Sequence, residues 1–116
     1  MSNELEILPV EERGRIAVLR LKGRLDVKTA PVLLKQARDI QTNGQDLVLN
    51  LSEVTFMGSS GVGALLVITE QFQEQAGRMR LAAPSAPVLT VFRLLNLDRF
   101  LTIDNTEEES LAALQK

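Results

Sequence analysis

Leu47-Val48-Leu49-Asn50-Leu51-Ser52-Glu53-Val54-Thr55-Phe56-Met57-Gly58-Ser59-Ser60-Gly61-Val62-Gly63-Ala64-Leu65-Leu66 is the stretch on which the reading of this chain turns. Leu47 to Leu51 is an apolar run interrupted only by Asn50, as expected of a buried strand. Val62 to Phe72 is amphipathic and reads as a helix, with Val62, Leu65, Leu66, Thr69, Phe72 and Ala76 on one face and Gly77 as its end. Three glycines and two hydroxyls therefore fall where a strand hands over to a helix. The unpaired N–H groups and the dipole of a helix start favour negative charge, so this turn suits a phosphate, bound or covalent.

Working outward, Leu5 and Ile7 alternate with Glu4 and Glu6 as a short edge strand, and Arg13-Gly14-Arg15 reads as a turn. Ile16 to Leu21 is nearly continuous in apolar residues, a strand covered on both faces, which Lys22-Gly23-Arg24-Leu25-Asp26 breaks. Thr29 is placed to N-cap a helix with Pro31 in its first turn. Ala30, Leu33, Leu34, Ala37 and Ile40 form that helix's apolar face, and Asn43-Gly44 stops it.

Beyond Gly77, a strand from Met79 to Ala82 precedes Ser85, which can cap a helix with Val88, Val91, Phe92 and Leu95 inside. Leu101 to Ile103 is a last short strand. Thr106 and Glu109 make a capping-box pattern for a final helix bearing Leu111 and Leu114. The order ββαβαβαβα predicts an α/β fold: a mixed sheet of about five strands with four helices packed against it, joined by right-handed crossovers.

The chain has 116 residues, the size of one domain, and residues 1–116 are read as such. A domain this long buries about two-thirds of its extended surface, enough for a core without staples. Cysteine and histidine are both absent. That removes disulfides, thiolate nucleophiles, a Ser-His-Asp triad and the usual zinc site, so the chain reads as a binding module rather than an enzyme, with no cofactor. The net charge is −2 and aromatics are 3%, all Phe, which argues against nucleic-acid binding. The polar, acidic start is unlike a signal peptide and no apolar run approaches a membrane span, so a soluble, cytoplasmic protein is expected.

The glycine-rich turn fits none of the common phosphate or nucleophile motifs. No Gly-Lys-Ser/Thr follows, as a P-loop needs. Leu66 stands where a dinucleotide fingerprint has its third glycine, and Val62 where a nucleophile elbow has its last. The plain structural reading is an N-capping serine with glycines that let the turn bend. A small nucleotide-binding or hydrolytic enzyme is opposed by the missing histidine, P-loop lysine and clustered acids. Glu107-Glu108-Glu109 reads as a first-turn charge cluster and not as a metal site.

Two segments together narrow the choice. Val48-Leu49-Asn50-Leu51-Ser52 through Gly58-Ser59-Ser60-Gly61 to Leu66 resembles the signature of STAS domains, the anti-anti-sigma family, in which a V-L-(N/D)-L strand leads to Asp-Ser-Ser/Thr-Gly-Leu at a helix start. Gly23-Arg24-Leu25-Asp26-Val27-Lys28-Thr29-Ala30 is similar to that family's G-x-L-D-x-x-T-A/N segment. The resemblance runs from about Ile16 to Leu95.

It implies an anti-sigma factor antagonist that binds an anti-sigma factor with serine kinase activity and so frees a sigma factor. The resemblance places the phosphorylated residue at Ser59, with Ser60 as the fallback, and implies a serine phosphatase that restores binding. It puts the partner-binding face at Asp26, Lys28, Thr29, Gly58, Ser59, Ser60 and Gly61, with Arg24 as a further contact. Gly58 departs from the family's Asp. Members without the full Asp-Ser pair include scaffold and lipid-transport subunits that work without phosphorylation, which is the alternative reading. Taken from the residues alone, Asp26 is a local cap for the Thr29 helix, Thr29 an N-cap, and Phe56 and Met57 core residues in preference to interface anchors.

Overall fold

The structure, a computed structural model, describes residues 4–115. Strands β1 (Glu6–Ile7), β2 (Glu11–Arg13) and β3 (Ile16–Leu25) come first. Then follow α1 (Ala30–Thr42), β4 (Asp46–Met57), α2 (Ser59–Glu74), β5 (Met79–Ala82), α3 (Ala86–Leu94), a 3-10 turn (Leu97–Arg99), β6 (Ile103–Asp104) and α4 (Glu107–Leu114). The sheet runs β1-β3-β4-β5-β6, with β2 also paired to β3. β1 and β2 lie antiparallel to β3, whereas β3, β4, β5 and β6 are parallel. The mixed sheet with four α-helices is the expected α/β architecture, and β2 adds one strand to the expected order.

β2 escaped the sequence reading because Glu11, Glu12 and Arg13 carry no apolar alternation. Its order comes from backbone pairing with Ile16 to Val18 across the turn at Gly14 and Arg15. β3 also passes through the expected break and reaches Leu25. Gly23 allows this with φ of +110°, and a Cβ there would strike the Glu4 carbonyl. β4 extends far past Leu51. Register shifts against β3 between Arg20 and Lys22, and again between Gly23 and Arg24, let its twelve residues match β3's ten.

The pleat sorts the sheet into two unlike faces. Ala17, Leu19, Leu21, Leu47, Leu49, Leu51 and Leu81 point to one face and pack with Leu33, Ala37 and Ile40 of α1, Leu65, Ile68 and Phe72 of α2, and Val88 and Phe92 of α3. Three successive crossovers between neighbouring parallel strands place all three helices on this side. The other face carries a smaller cluster, Ile16, Val18, Val48 and Ala82, covered by Leu111 and Leu114 of α4.

Several local details differ from the expected ones. In α2 the inner residues are Val62, Leu65, Ile68 and Phe72, while Leu66 faces outward. Ala76 (φ 58°), not Gly77, takes the left-handed position after that helix, where the Gly77 N–H closes onto the Phe72 carbonyl at 2.8 Å. Leu95 is exposed. Ser85 occupies the N-cap position of α3, yet its hydroxyl donates to the Val54 carbonyl at 2.6 Å and so braces irregular β4. The last strand starts at Ile103, two residues later than expected.

α4 is held by charge more than by apolar area. Thr106 Oγ1 accepts the Glu109 N–H at 3.1 Å, as the capping-box spacing predicts. Glu107, at the start of this helix, accepts from Nε and Nη2 of Arg20 at 2.9 and 2.7 Å and from the Asn50 amide at 2.9 Å. Arg80 pairs in the same bidentate way with Asp104, which also accepts from Ser110. The Arg20 hydrogen bonds pull the Glu107 pKa below its ordinary value against the opposing effect of burial, and Arg80 does the same to Asp104.

Carboxylates depressed in the folded state contribute stability above their unfolded pKa and lose it as pH falls through the folded one. Unfolding in urea should therefore show stability declining as pH drops below about 4. Glu107→Gln should flatten part of that decline while lowering stability at neutral pH.

Candidate functional site

The two segments singled out in the sequence meet at the C-terminal ends of β3 and β4, where ligands and partners meet open parallel sheets. Leu25 pairs with Met57 and Arg24 with Phe56 in the parallel ladder. One residue further, the Gly58 N–H donates to the Leu25 carbonyl at 3.0 Å. A Cβ on Gly61 would lie 2.7 Å from that same oxygen and 2.8 Å from Leu25 Cγ. Only glycine fits there, so the first turn of α2 abuts the loop that carries Asp26. By contrast, a Cβ on Gly63, two residues on and facing the opposite side of the helix, would meet nothing within 4 Å.

Gly58, not a serine, occupies the N-cap position of α2, in extended backbone and without a side-chain cap. Ser59 and Ser60 are the first two helical residues, and their hydroxyls make no hydrogen bond among the described residues. The N-capping role is thereby removed for both. Ser59 is exposed and Ser60 half-buried. An exposed hydroxyl at a helix start, with the N–H groups of the first turn behind it, is open to a bulky partner and electrostatically suited to a phosphoryl group.

The Asp26 loop is built from short-range bonds. Asp26 Oδ1 accepts the N–H groups of Lys28 at 3.0 Å and Thr29 at 3.2 Å, both before α1 begins, so Asp26 braces the loop and does not cap the helix as expected. Burial acts to raise its pKa, but the Lys28 and Thr29 N–H bonds, the Thr29 hydroxyl and the Arg24 charge together hold it below the ordinary value. Asp26 is thus a fixed negative charge at neutral pH. Arg24 Nε lies 3.6 Å from Asp26 Oδ2, and its guanidinium sits 4.0 Å over the Phe56 ring.

Thr29 sits at the N-cap of α1 but does not cap it with its side chain. Its buried hydroxyl accepts the Asp26 N–H at 2.9 Å and donates to the Arg24 carbonyl at 2.8 Å. It closes the loop rather than facing outward. Gly61 is likewise buried. The solvent-facing members are Lys28 and Ser59, with Asp26, Gly58 and Ser60 half-exposed between them.

Sequence reading missed Val27, Gly63 and Val67 as neighbours of this site, placed Leu66 on the inner face and favoured the core for Phe56. Val27 is 72% exposed at the loop tip and Phe56 is 39% exposed, whereas Met57 alone of that pair is core. Along α2, Gly63, Leu66 and Val67 continue the outward stripe that begins at Ser59. Period-two alternation from buried Val54 would place Phe56 inside; the register shift between the Gly23–Val54 and Arg24–Phe56 pairs turns it outward, which no local pattern announces. Among the described residues no group of His, Cys, Asp or Glu is arranged to hold a metal, and no helix is long and apolar enough to cross a membrane.

Comparison with known proteins gives a consistent result. The STAS domain model matches residues 8–110. The anti-sigma F factor antagonist of Lysinibacillus sphaericus is 32% identical over 96 residues, covering 81% of each chain. The crystal structure of an anti-sigma factor antagonist from Mycobacterium paratuberculosis superposes with a TM-score of 0.88 at 25% identity, covering 100% of this chain and 98% of that one. The Bacillus antagonist SpoIIAA, in its unphosphorylated form, gives a TM-score of 0.78 at 28% identity, with 95% and 96% covered. Its phosphorylated form gives 0.71 at 28% identity, with 94% and 99% covered.

The two glycines of α2 should respond oppositely to alanine. Gly61→Ala is expected to destabilise by about 1–3 kcal/mol through overpacking against Leu25. Gly63→Ala should stabilise by up to about 1 kcal/mol, the ordinary helix gain. Urea midpoints of the two variants measure both.

Proposed function

This chain belongs to the STAS domain family, and from that membership we propose that it is an anti-sigma factor antagonist, a binding module switched by phosphorylation of Ser59. The observation that carries this reading is the placement of Ser59: exposed, unbonded, and first in α2 beside the braced Asp26 loop. Relatives named as anti-sigma factor antagonists, one of them solved in a phosphorylated form, support it.

The partner is an anti-sigma factor that is also an ATP-dependent serine kinase. It docks on Ser59, Lys28, Asp26 and the apolar rim of Val27, Phe56 and Leu66, and its occupancy releases the sigma factor. Charge-depleted apolar positions flanked by polar ones are the usual make-up of such a surface. Transfer of the γ-phosphoryl group to Ser59 Oγ adds about −1.5 to −2 charges. The helix dipole and surrounding water accommodate that charge in the free protein, but a packed interface does not. The complex dissociates, and a serine phosphatase restores the hydroxyl. The protein performs no catalysis itself, and this role places it in the cytoplasm.

Gly58 bears on the switch because it brings no carboxylate next to the acceptor. Its backbone is extended, so no conformation demands glycine, and a Cβ would meet only the Phe56 ring edge at 3.2 Å. Gly58→Asp should therefore fold and gain a few tenths of a kcal/mol by capping α2. The missing carboxylate also favours the second reading, a subunit that works in a scaffold or transport assembly without phosphorylation.

Affinity measurements against the captured host kinase separate the two. Ser59→Asp should bind at least about tenfold more weakly than the parent, a loss of about 1.4 kcal/mol. Ser59→Ala should bind but take no label from radioactive ATP. Label persisting in Ser59→Ala moves the acceptor to Ser60. Equal binding by parent and Ser59→Asp, with no label in either, leaves the phosphorylation-independent reading standing.

A further inference from the structure

The opposite end of the sheet holds a second concave site. β3 and β4 begin there with Ile16 paired to Asp46, a ten-residue strand away from Leu25, or roughly 30 Å. A cleft of about 670 Å³ opens between the β2–β3 turn, the start of β4, the Ala76 turn and the end of α4. Arg13, Arg15 and Arg78 line it, with Asp46 as the one acidic residue in its wall. A smaller cavity of about 160 Å³ adjoins it, sharing Arg15 and Asp46 and adding the side chains of Gln41, Gln45 and Gln75. Three guanidiniums on one cleft are unusual in a chain of net charge −2.

The negative groups nearby are already engaged. Asp46 accepts the Arg78 N–H at 3.1 Å and its guanidinium at 3.3 and 3.0 Å, and the Leu114 carbonyl takes the same guanidinium at 2.6 Å. Glu11 pairs with Arg13 at 2.6 Å but divides its charge with Arg20 at 2.9 Å. Glu12 is held by the Gln45 amide at 3.2 Å. Among the described residues Arg15 has no carboxylate within salt-bridge distance, and it spends one N–H on the Gly44 carbonyl at 3.4 Å. It stands in the wall common to both cavities with most of its five donors turned to solvent. Gly14, at φ +62°, keeps the turn beside it bare, with no atom near where a side chain would be.

From this we infer that the cleft is a binding site for a small soluble molecule carrying a phosphate or diphosphate. Planar guanidiniums recognise such oxyanions through paired N–H bonds, and Arg15 supplies the uncompensated charge. The Gln41 and Gln45 amides are engaged by the Gln71 carbonyl and Glu12, so it is the Gln75 amide in the adjoining cavity that receives the uncharged remainder of the ligand. This inference does not rest on the regulatory reading of Ser59, since it uses different residues at the other end of the sheet. It gives the protein a second input, sensed apart from the partner-binding turn.

The test is an amide NMR titration of the whole protein with inorganic pyrophosphate and, separately, ribose 5-phosphate, against sodium chloride at matched ionic strength. Saturable shifts at Gly14, Arg15, Arg78 and Gln115 are expected. Arg15→Gln should weaken them at least about tenfold while leaving the remaining spectrum and the urea midpoint unchanged. Saturation by ribose 5-phosphate at lower concentration than by inorganic phosphate, titrated in the same way, identifies the cavity lined by Gln75 as part of the site. Shifts that chloride reproduces, that Arg15→Gln leaves intact, or that fall only at Ser59 to Gly61 overturn the inference and return the arginines to a solvated surface.

Discussion

The Leu25 carbonyl oxygen is the point on which the architecture of this domain depends. It accepts the Gly58 N–H and lies where any side chain on residue 61 would be. For that contact to form, β4 has to reach Met57, and its two irregularities against β3 are the means by which it does so. α2 then starts at once, with Val62 and Leu65 already aimed into the core. The same contact brings the Asp26 loop and Ser59 side by side although 33 positions separate them. A side chain larger than hydrogen at residue 61 would push the helix from the strand and open both the core and the site together.

The two faces of the sheet are stabilised in different ways. Three helices and most of the apolar side chains make one face, where close packing and area burial dominate. The other face carries one short helix whose Leu111 and Leu114 cover four buried apolar residues of the sheet, supplemented by the Arg20–Glu107–Asn50 and Arg80–Asp104–Ser110 networks. These networks are only partly exposed and each member has a partner, so they specify where α4 sits more than they add net stability. The Ser59 turn, proposed to bind the partner, stands at one end of the packed face, where α2 begins. A change there meets a rigid scaffold, which suits a switch acting on affinity rather than on fold.

Much of the fold was legible because its signals are local. Ala30, Leu33, Ala37 and Ile40 repeat at helical spacing, and Thr106 with Glu109 announces a cap that forms as expected. β2 was not legible, since three charged residues paired through backbone alone leave no pattern. The ends of β3 and β4 were not legible either, because Gly23 and the register shifts have meaning only against the neighbouring strand. Glu107 read as one of three equivalent acids. Its bidentate pairing with Arg20, 87 positions away, singles it out only once the sheet places them together.

By itself the sequence determined the order of helices and strands, the absence of thiol and imidazole chemistry, and the two segments that mark the family. These follow from periodicity, composition and spacing, which are properties of neighbours along the chain. Tertiary structure decided the rest: that Gly58 caps α2 and leaves both serine hydroxyls unbonded, that Thr29 braces the loop from within, that Phe56 is a surface residue under Arg24, and that three arginines share one cleft. Each depends on which distant backbone or side chain lies alongside. Contact, solvent exposure and charge compensation are set by packing, and packing is non-local.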